Sequence, residues 1–205
     1  MKKSTGEAAF KVFEASFEKG VTALAAVPSD GLSQVAVLGR SNVGKSSLLS
    51  ALLGKKNLVK ISSKPGKTRE INFFKVNGAF YLVDLPGVGF AGVNFDKVNE
   101  MENSIKEYIE GTPALKGLIY LIDSRLGPLP IDIKTVESVR ASGCPVFLAI
   151  SKCDKANQSE LALTRSKTQK AFGISEQPLR LSTLKKIGLD KLWSEILSII
   201  AEERK

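Results

Sequence analysis

The 205-residue sequence contains no histidine. That excludes any mechanism built on an imidazole base and any metal held by imidazole. Cysteine is scarce as well: Cys144 and Cys153 stand too far apart for a Cys-x-x-Cys metal clasp. Reduced thiols in a cytoplasmic chain are expected. No apolar run approaches the roughly 20 residues of a membrane span. The opening MKKSTGEAAF has two lysines but no apolar core behind them, so no secretory signal is expected. There is no internal repeat, no low-complexity linker and no compact Lys/Arg stripe. What remains is the composition of a globular domain, 43% hydrophobic and 25% charged, with a length that suits one core. The formal net charge is +9. A basic excess of that size attracts polyanions through counterion release, so a nucleic-acid or ribonucleoprotein partner is expected ahead of a membrane surface.

Hydrophobic patterning alternates between short buried runs and helical stretches. Residues 10–17 (FKVFEASF) read as an edge strand or a short helix, and Gly31 ends a polar turn after Pro28. QVAVLG at 34–39 is short, apolar and closed by glycine, the signature of a buried strand. SSLLSALLG then reads as a helix stopped by Gly54. Residues 55–70 are polar and marked by Gly and Pro, hence a long loop. In INFFKVNGAFYLVDLPG the pair Asn77-Gly78 sits between two apolar runs, which predicts an antiparallel hairpin of strands at 71–76 and 79–84. Beyond it, a helix at 97–110, a strand LKGLIYLID, a helix DIKTVESVRAS, a strand CPVFLAISK, a helix SELALTRSKTQKAF, a strand PLRLST and a final helix LDKLWSEILSIIAEE follow in turn. Such alternation implies an α/β fold with a mostly parallel sheet covered on both faces and ligands at the carboxyl ends of the strands.

Two segments carry the Gly-Lys-Ser/Thr ending of a phosphate-gripping loop. GRSNVGKS at 39–46 has both required glycines, Gly39 and Gly44, followed by Lys45 and Ser46, and lies between a predicted strand and a predicted helix. Backbone N–H groups and the helix dipole would hold phosphate there, and the Ser46 hydroxyl would meet Mg²⁺. The copy at Gly66-Lys67-Thr68 fails, because Ile61 occupies the place of the first glycine and no apolar helix follows. Its place in the long loop suits a different task, in which Thr68 completes the Mg²⁺ shell only beside a γ-phosphate. Downstream, Asp84 ends a buried strand and is followed by Gly87, a pairing that can hold Mg²⁺ through water and offer an N–H to the γ-phosphate. SKCD at 151–154 ends a later strand. Asp154 can accept two bonds from guanine, and adenine would leave the carboxylate unpaired. The stem of Lys152 can cover the base, and backbone N–H groups near Ser182 and Thr183 are candidates for the guanine carbonyl.

Together GRSNVGKSSLL, SSKPGKTREINFF, VDLPG, SKCD and STLKKIGLDKL resemble the translation-factor-like GTPases, and more closely the EngB (YihA/YsxC) family of bacterial ribosome-biogenesis GTP-binding proteins. The resemblance spans about residues 30–200. It implies a three-layer, Ras-like P-loop GTPase fold with a mixed, mostly parallel six-stranded sheet, over a G domain at 31–205 with an N-terminal extension, 1–30, packed on it. It implies a monomer that binds GTP or GDP with Mg²⁺, hydrolyses GTP slowly, and serves large-ribosomal-subunit assembly, cell division and septation. Its partner would be the large-subunit precursor, rRNA and ribosomal proteins together. Carried over by position, nucleotide contacts fall on Gly39, Arg40, Ser41, Asn42, Val43, Gly44, Lys45 and Ser46. They continue on Gly66, Lys67, Thr68, Arg69 and Glu70, on Asp84, Leu85, Pro86 and Gly87, on Ser151, Lys152, Cys153 and Asp154, and on Leu181, Ser182 and Thr183. Ser46 and Thr68 would ligate Mg²⁺. Lys45, Thr68 and Asn42 are the expected catalytic set, Asn42 because some relatives in the wider class hold K⁺ with an asparagine there.

The sequence also departs from the family. Members usually read Pro-Gly-Tyr-Gly-Tyr after the switch aspartate, whereas Val88 and Phe90 replace the tyrosines here. Valine also stands where Ras-type switches keep a water-orienting glutamine. Ser151 replaces the commoner Thr or Asn. Two other readings compete: a P-loop nucleotide kinase, and a GTPase of RNA modification or membrane transport. The first needs an arginine-rich lid and the second extra domains or spans, and neither is visible.

Overall fold

The computed structural model describes residues 10–55, 70–89 and 95–201. Gly66, Lys67, Thr68, Arg69 and Phe90 lie outside them. Seven strands, β1 (Ala15–Val21), β2 (Ser33–Gly39), β3 (Ile71–Val76), β4 (Phe80–Asp84), β5 (Leu115–Asp123), β6 (Val146–Ser151) and β7 (Leu179–Arg180), form one sheet in the order β1-β3-β4-β2-β5-β6-β7. Neighbours from β4 through β2, β5 and β6 to β7 run parallel, while β1, β3 and β4 pair antiparallel. The helices are α1 (Lys45–Leu53), α2 (Phe95–Gly111), α3 (Pro130–Ala141), α4 (Gln158–Phe172) and α5 (Leu189–Ala201). No helix of the described residues is long and apolar enough to cross a membrane.

The expected sheet had six strands, and the seventh comes from the N-terminal segment. Its strand begins at Ala15, later than the run FKVFEASF suggests, and Phe13 is left 78% exposed. The reason is pairing: β1 runs from Ala15 opposite Val76 to Val21 opposite Ile71. Ala15 and Val21 are buried at its two ends, and Phe17 meets Phe74 with ring centroids 5.7 Å apart. At the other edge β7 keeps only two residues of the predicted PLRLST strand. Ser182 turns out of the ladder and bonds Ile187 in both directions.

Each face of the sheet has its own core. Val35 and Val37 pack with Leu48, Leu49, Leu52 and Leu53 of α1 and with Leu192, Trp193 and Ile196 of α5. Ala36 and Leu38 point the other way, with Ile105, Tyr108 and Ile109 of α2 and Val136 and Val139 of α3. All four residues of β2 named here are fully buried, as a central strand covered on both faces requires. The hairpin between β3 and β4 closes through Asn77 and Gly78, both at positive φ, with Ala79 N–H donating to Val76 C=O. That turn fixes the register that sets Asp84 opposite Asn72.

Candidate functional site

The segments singled out in the sequence meet at the carboxyl ends of β2, β4, β6 and β7. Gly39 ends β2, and the chain reaches α1 through Gly44, with φ of 149° and 111° at the two glycines. α1 has no side-chain cap, and the first N–H bonded back along it is that of Leu48, to Gly44 C=O. The N–H groups of Lys45, Ser46 and Ser47 therefore have no acceptor within the helix, which suits an anion at its start. Lys45 Nζ donates to Gly39 C=O at 3.3 Å and Arg40 C=O at 3.5 Å, so the ammonium lies inside its own loop. Burial holds it below its ordinary value, opposed by Asp84.

The strand after Asp84 zips onto this loop. Val88 N–H donates to Gly39 C=O, and Ser41 N–H donates to Val88 C=O at 3.0 Å. Gly87 sits so close that a Cβ there would lie 2.9 Å from Lys45 Nζ and 3.0 Å from Ser41 N. Only glycine fits without displacing the lysine. Val88 itself is buried at 3% exposure among α2 and α3 side chains. Asp84 is buried, and its Oδ1 has no hydrogen-bond partner in the structure. Burial pushes its carboxyl up to about 6 against the pull of Lys45. A buried acceptor beside Lys45, with the Ser46 hydroxyl in the first turn of α1, is an oxygen set for a hard cation with its water shell. The described residues of the set, Ser46 and Asp84, fit Mg²⁺, which when bound would neutralise charge on nucleotide phosphates.

β6 and β7 supply the remaining wall. Lys152 is at φ 55°, and its Nζ donates to Asn42 C=O and to Asp123 Oδ2 at 2.9 Å. Ser151 Oγ donates to Val43 C=O at 2.8 Å. The SKCD segment is thus tied to the phosphate loop from two directions. Ser182 Oγ donates to Asp154 Oδ1, and that bond holds the Asp154 carboxyl below its usual range. Cys153 is buried, with its N–H donating to Leu181 C=O at 3.0 Å. Ser182 N–H is engaged by Ile187 C=O, which removes it from the candidates for the guanine carbonyl and leaves Thr183.

Sequence reasoning missed two supporting carboxylates. Asp123, at the end of β5, receives Arg125 in bidentate fashion, at 2.9 and 2.7 Å, as well as Lys152. Burial works against its ionisation, but those bonds outweigh it and hold the carboxyl well below the usual range. Asp132 is fully buried and accepts from Arg40 Nε at 3.2 Å, Tyr120 Oη at 2.9 Å and Leu129 N–H at 2.7 Å. It joins the second residue of the phosphate loop to the start of α3. Asp123 had a legible signal, a carboxylate ending a buried strand; Asp132 had none.

A phosphate loop between β2 and α1, a buried aspartate ending β4 and an Asp-bearing segment ending β6 define a P-loop GTPase. The comparisons agree. The family model for 50S ribosome-binding GTPases matches residues 34–152. The "Probable GTP-binding protein EngB" of Desulfovibrio desulfuricans is 41% identical over 165 residues, 80% of this chain and 81% of that one. A solved EngB structure superposes with a TM-score of 0.72 at 24% identity, over 82% of this chain and 98% of that one. Era of Aquifex aeolicus, solved with GDP and AlF4⁻, gives a TM-score of 0.65 at 25% identity, over 83% of this chain and 57% of that one. The chain belongs to the EngB family, a family of GTP hydrolases.

Proposed function

We propose that the chain is a cytoplasmic, monomeric GTP switch in assembly of the large ribosomal subunit, and that normal division and septation depend on it. The observation that carries the nucleotide reading is the tie from Ser151 and Lys152 to the phosphate loop, beside an Asp154 held by Ser182, which supports base recognition and phosphate binding in one frame. Asp154 accepts from guanine, Thr183 N–H donates to its carbonyl, and Lys152 covers the ring. The phosphates lie over the N–H groups at the start of α1, with Lys45 turning from its loop carbonyls to their oxygens. Ser46 and Thr68 would hold Mg²⁺, and Asp84 would bond to its water shell. The ribosomal partner is supported by the description of the family model and by the net charge of +9.

Turnover is slow in this reading. Val88 is apolar and buried, so the residue after Gly87 has no group with which to orient water. Asn42 would hold K⁺, and the ion would supply the missing charge stabilisation. The Asn42 main-chain carbonyl is taken by Lys152, and the residue is exposed. GTP turnover should then be at least about tenfold faster in K⁺ than in Na⁺ at equal ionic strength, a small part of the roughly 10³–10⁵ an arginine finger supplies. Equal rates would remove Asn42 from catalysis. The switch reading is tested by co-sedimentation with large-subunit precursors. Binding should appear with a non-hydrolysable GTP analogue, weaken with GDP and fall as salt rises. Equal sedimentation in both nucleotide states would overturn it.

A further inference from the structure

Much of the basic excess gathers along α4 and β7. Between Gln158 and Lys186 six basic residues stand against two acidic ones, Glu160 and Glu176. Glu160 is engaged within its own helix, where its carboxylate accepts from Asn157 N–H at 2.8 Å. Two of the six basic residues, Arg165 and Arg180, are brought together by the fold. Among the described residues neither guanidinium has an ion pair. Arg165 Nε is buried and has no hydrogen-bond partner in the structure.

Sheet register and helix period set the pair side by side. Arg180 lies opposite Ile150 in the parallel β6–β7 ladder, so the two side chains share a face. Ile150 packs with Leu161 of α4, and Arg165 follows Leu161 by one helical turn. Leu179 points the other way, into the core under α1 and α5. Both guanidinia thus sit on the α4 face at β7, the last strand of the sheet. Burial holds the Arg165 guanidinium below its ordinary value, and the charge of Arg180 acts in the same direction. A third cation adjoins them. Burial and Asp154 push the Cys153 thiol up, and Arg180 and Lys185 together oppose them. A buried donor without an acceptor and a pair of like charges are each destabilising, and an anion between the arginines would relieve both.

We propose that Arg165 and Arg180 form an anion site that takes backbone phosphates of duplex RNA. Phosphate oxygens match the planar fork of a guanidinium. The segment from Gln158 to Lys186 holds one aromatic residue, Phe172, and it is buried, so bases have nothing there to stack on. Duplex RNA, held through its backbone and shape, fits such a surface better than splayed single strands do. Lys167 and Lys170, both exposed on α4, extend the positive charge along the helix. Lys185 N–H donates to Ser182 Oγ at 3.1 Å, and Ser182 holds Asp154, so the site borders the base-recognition wall. The inference deepens the ribosomal reading and rests on it.

The test uses the full chain loaded with GDP and a fluorescein-labelled RNA duplex, with anisotropy read across a salt series. Arg165→Gln and Arg180→Gln should each weaken binding about tenfold. Each should also lower the slope of log affinity against log salt by about one, with GDP affinity unchanged. Arg165→Met should raise the melting temperature, because it removes the unpaired donor and a like charge; a fall would make Arg165 structural and overturn the proposal. RNA affinity and slope unchanged in both Gln variants would overturn it too. So would displacement of the duplex by polyglutamate as readily as by unlabelled RNA, which would assign the pair to an acidic protein. Co-sedimentation with large-subunit precursors separates the site from the ribosomal reading. Particles that bind wild type and the Arg165→Gln/Arg180→Gln double variant equally overturn the site and leave that reading standing. Particles that bind neither overturn the reading itself.

Discussion

Asp84 is buried where its charge is needed, and the two requirements conflict. Burial pushes its carboxyl up to about 6 in the fold, above the ordinary value of 3.8. A raised carboxyl contributes stability that is fully present below about pH 4 and is lost as pH rises through 6. In the nucleotide-free chain, Asp84→Asn should therefore be more stable than wild type at pH 8, by up to about 3 kcal/mol, with the gap closing toward pH 4. Urea unfolding at the two pH values reads this directly, and a gap independent of pH would refute it. Asp154 is the opposite case, a carboxylate held ready by Ser182 near the surface. Asp154→Asn should weaken GDP and GTP binding by about 10²-fold or more, from two charge-assisted bonds of about 1.5–3 kcal/mol each, with little change in thermal stability. Calorimetric titration that finds guanine affinity unchanged would remove SKCD from the base site. The motifs announced these residues because phosphate and guanine each demand particular groups at fixed spacing. Asp132 was invisible for the converse reason. Its partner, Arg40, is set by helix packing, and no local pattern encodes that.

Among the elements, the join between the phosphate loop and α3 is where position depends on one buried pair. Arg40 Nε lies 3.1 Å from Asp132 Oδ2, and the guanidinium also donates to Gly127 C=O. Asp132→Ala would strand Arg40 and free Leu129 N–H, at a cost of about 3–5 kcal/mol. A double variant, Arg40→Met with Asp132→Leu, should recover most of that stability, because replacing both charges by apolar groups is often neutral. GDP affinity should stay reduced in the double variant, since the loop loses its tie to α3. Chemical denaturation with a parallel GDP titration separates the two, and full recovery of both would make the pair purely structural. The helices and central strands were legible because their periods of 3.6 and 2 are set by burial. The edges were less so. ASFEKGV contains Glu, Lys and Gly, weak strand formers, and becomes β1 only because β3 offers an open edge. PLRLST looked like a full strand, yet the Ser182–Ile187 turn takes most of it, which brings Ser182 to Asp154.

At the scale of the whole molecule, the proposed reading sets phosphate binding at the centre of one sheet and base recognition toward β7, with the buried Val88 offering no group to orient water. The chain alone should therefore be a poor hydrolase that waits for its partner. GTP turnover by the purified chain, measured with and without large-subunit precursor particles and with ATP as control, asks this directly. A partner-gated GTP switch predicts slow turnover alone, at least about a tenfold rise with the particles, and no comparable use of ATP. A rate that the particles leave unchanged, or equal turnover of ATP, would contradict it.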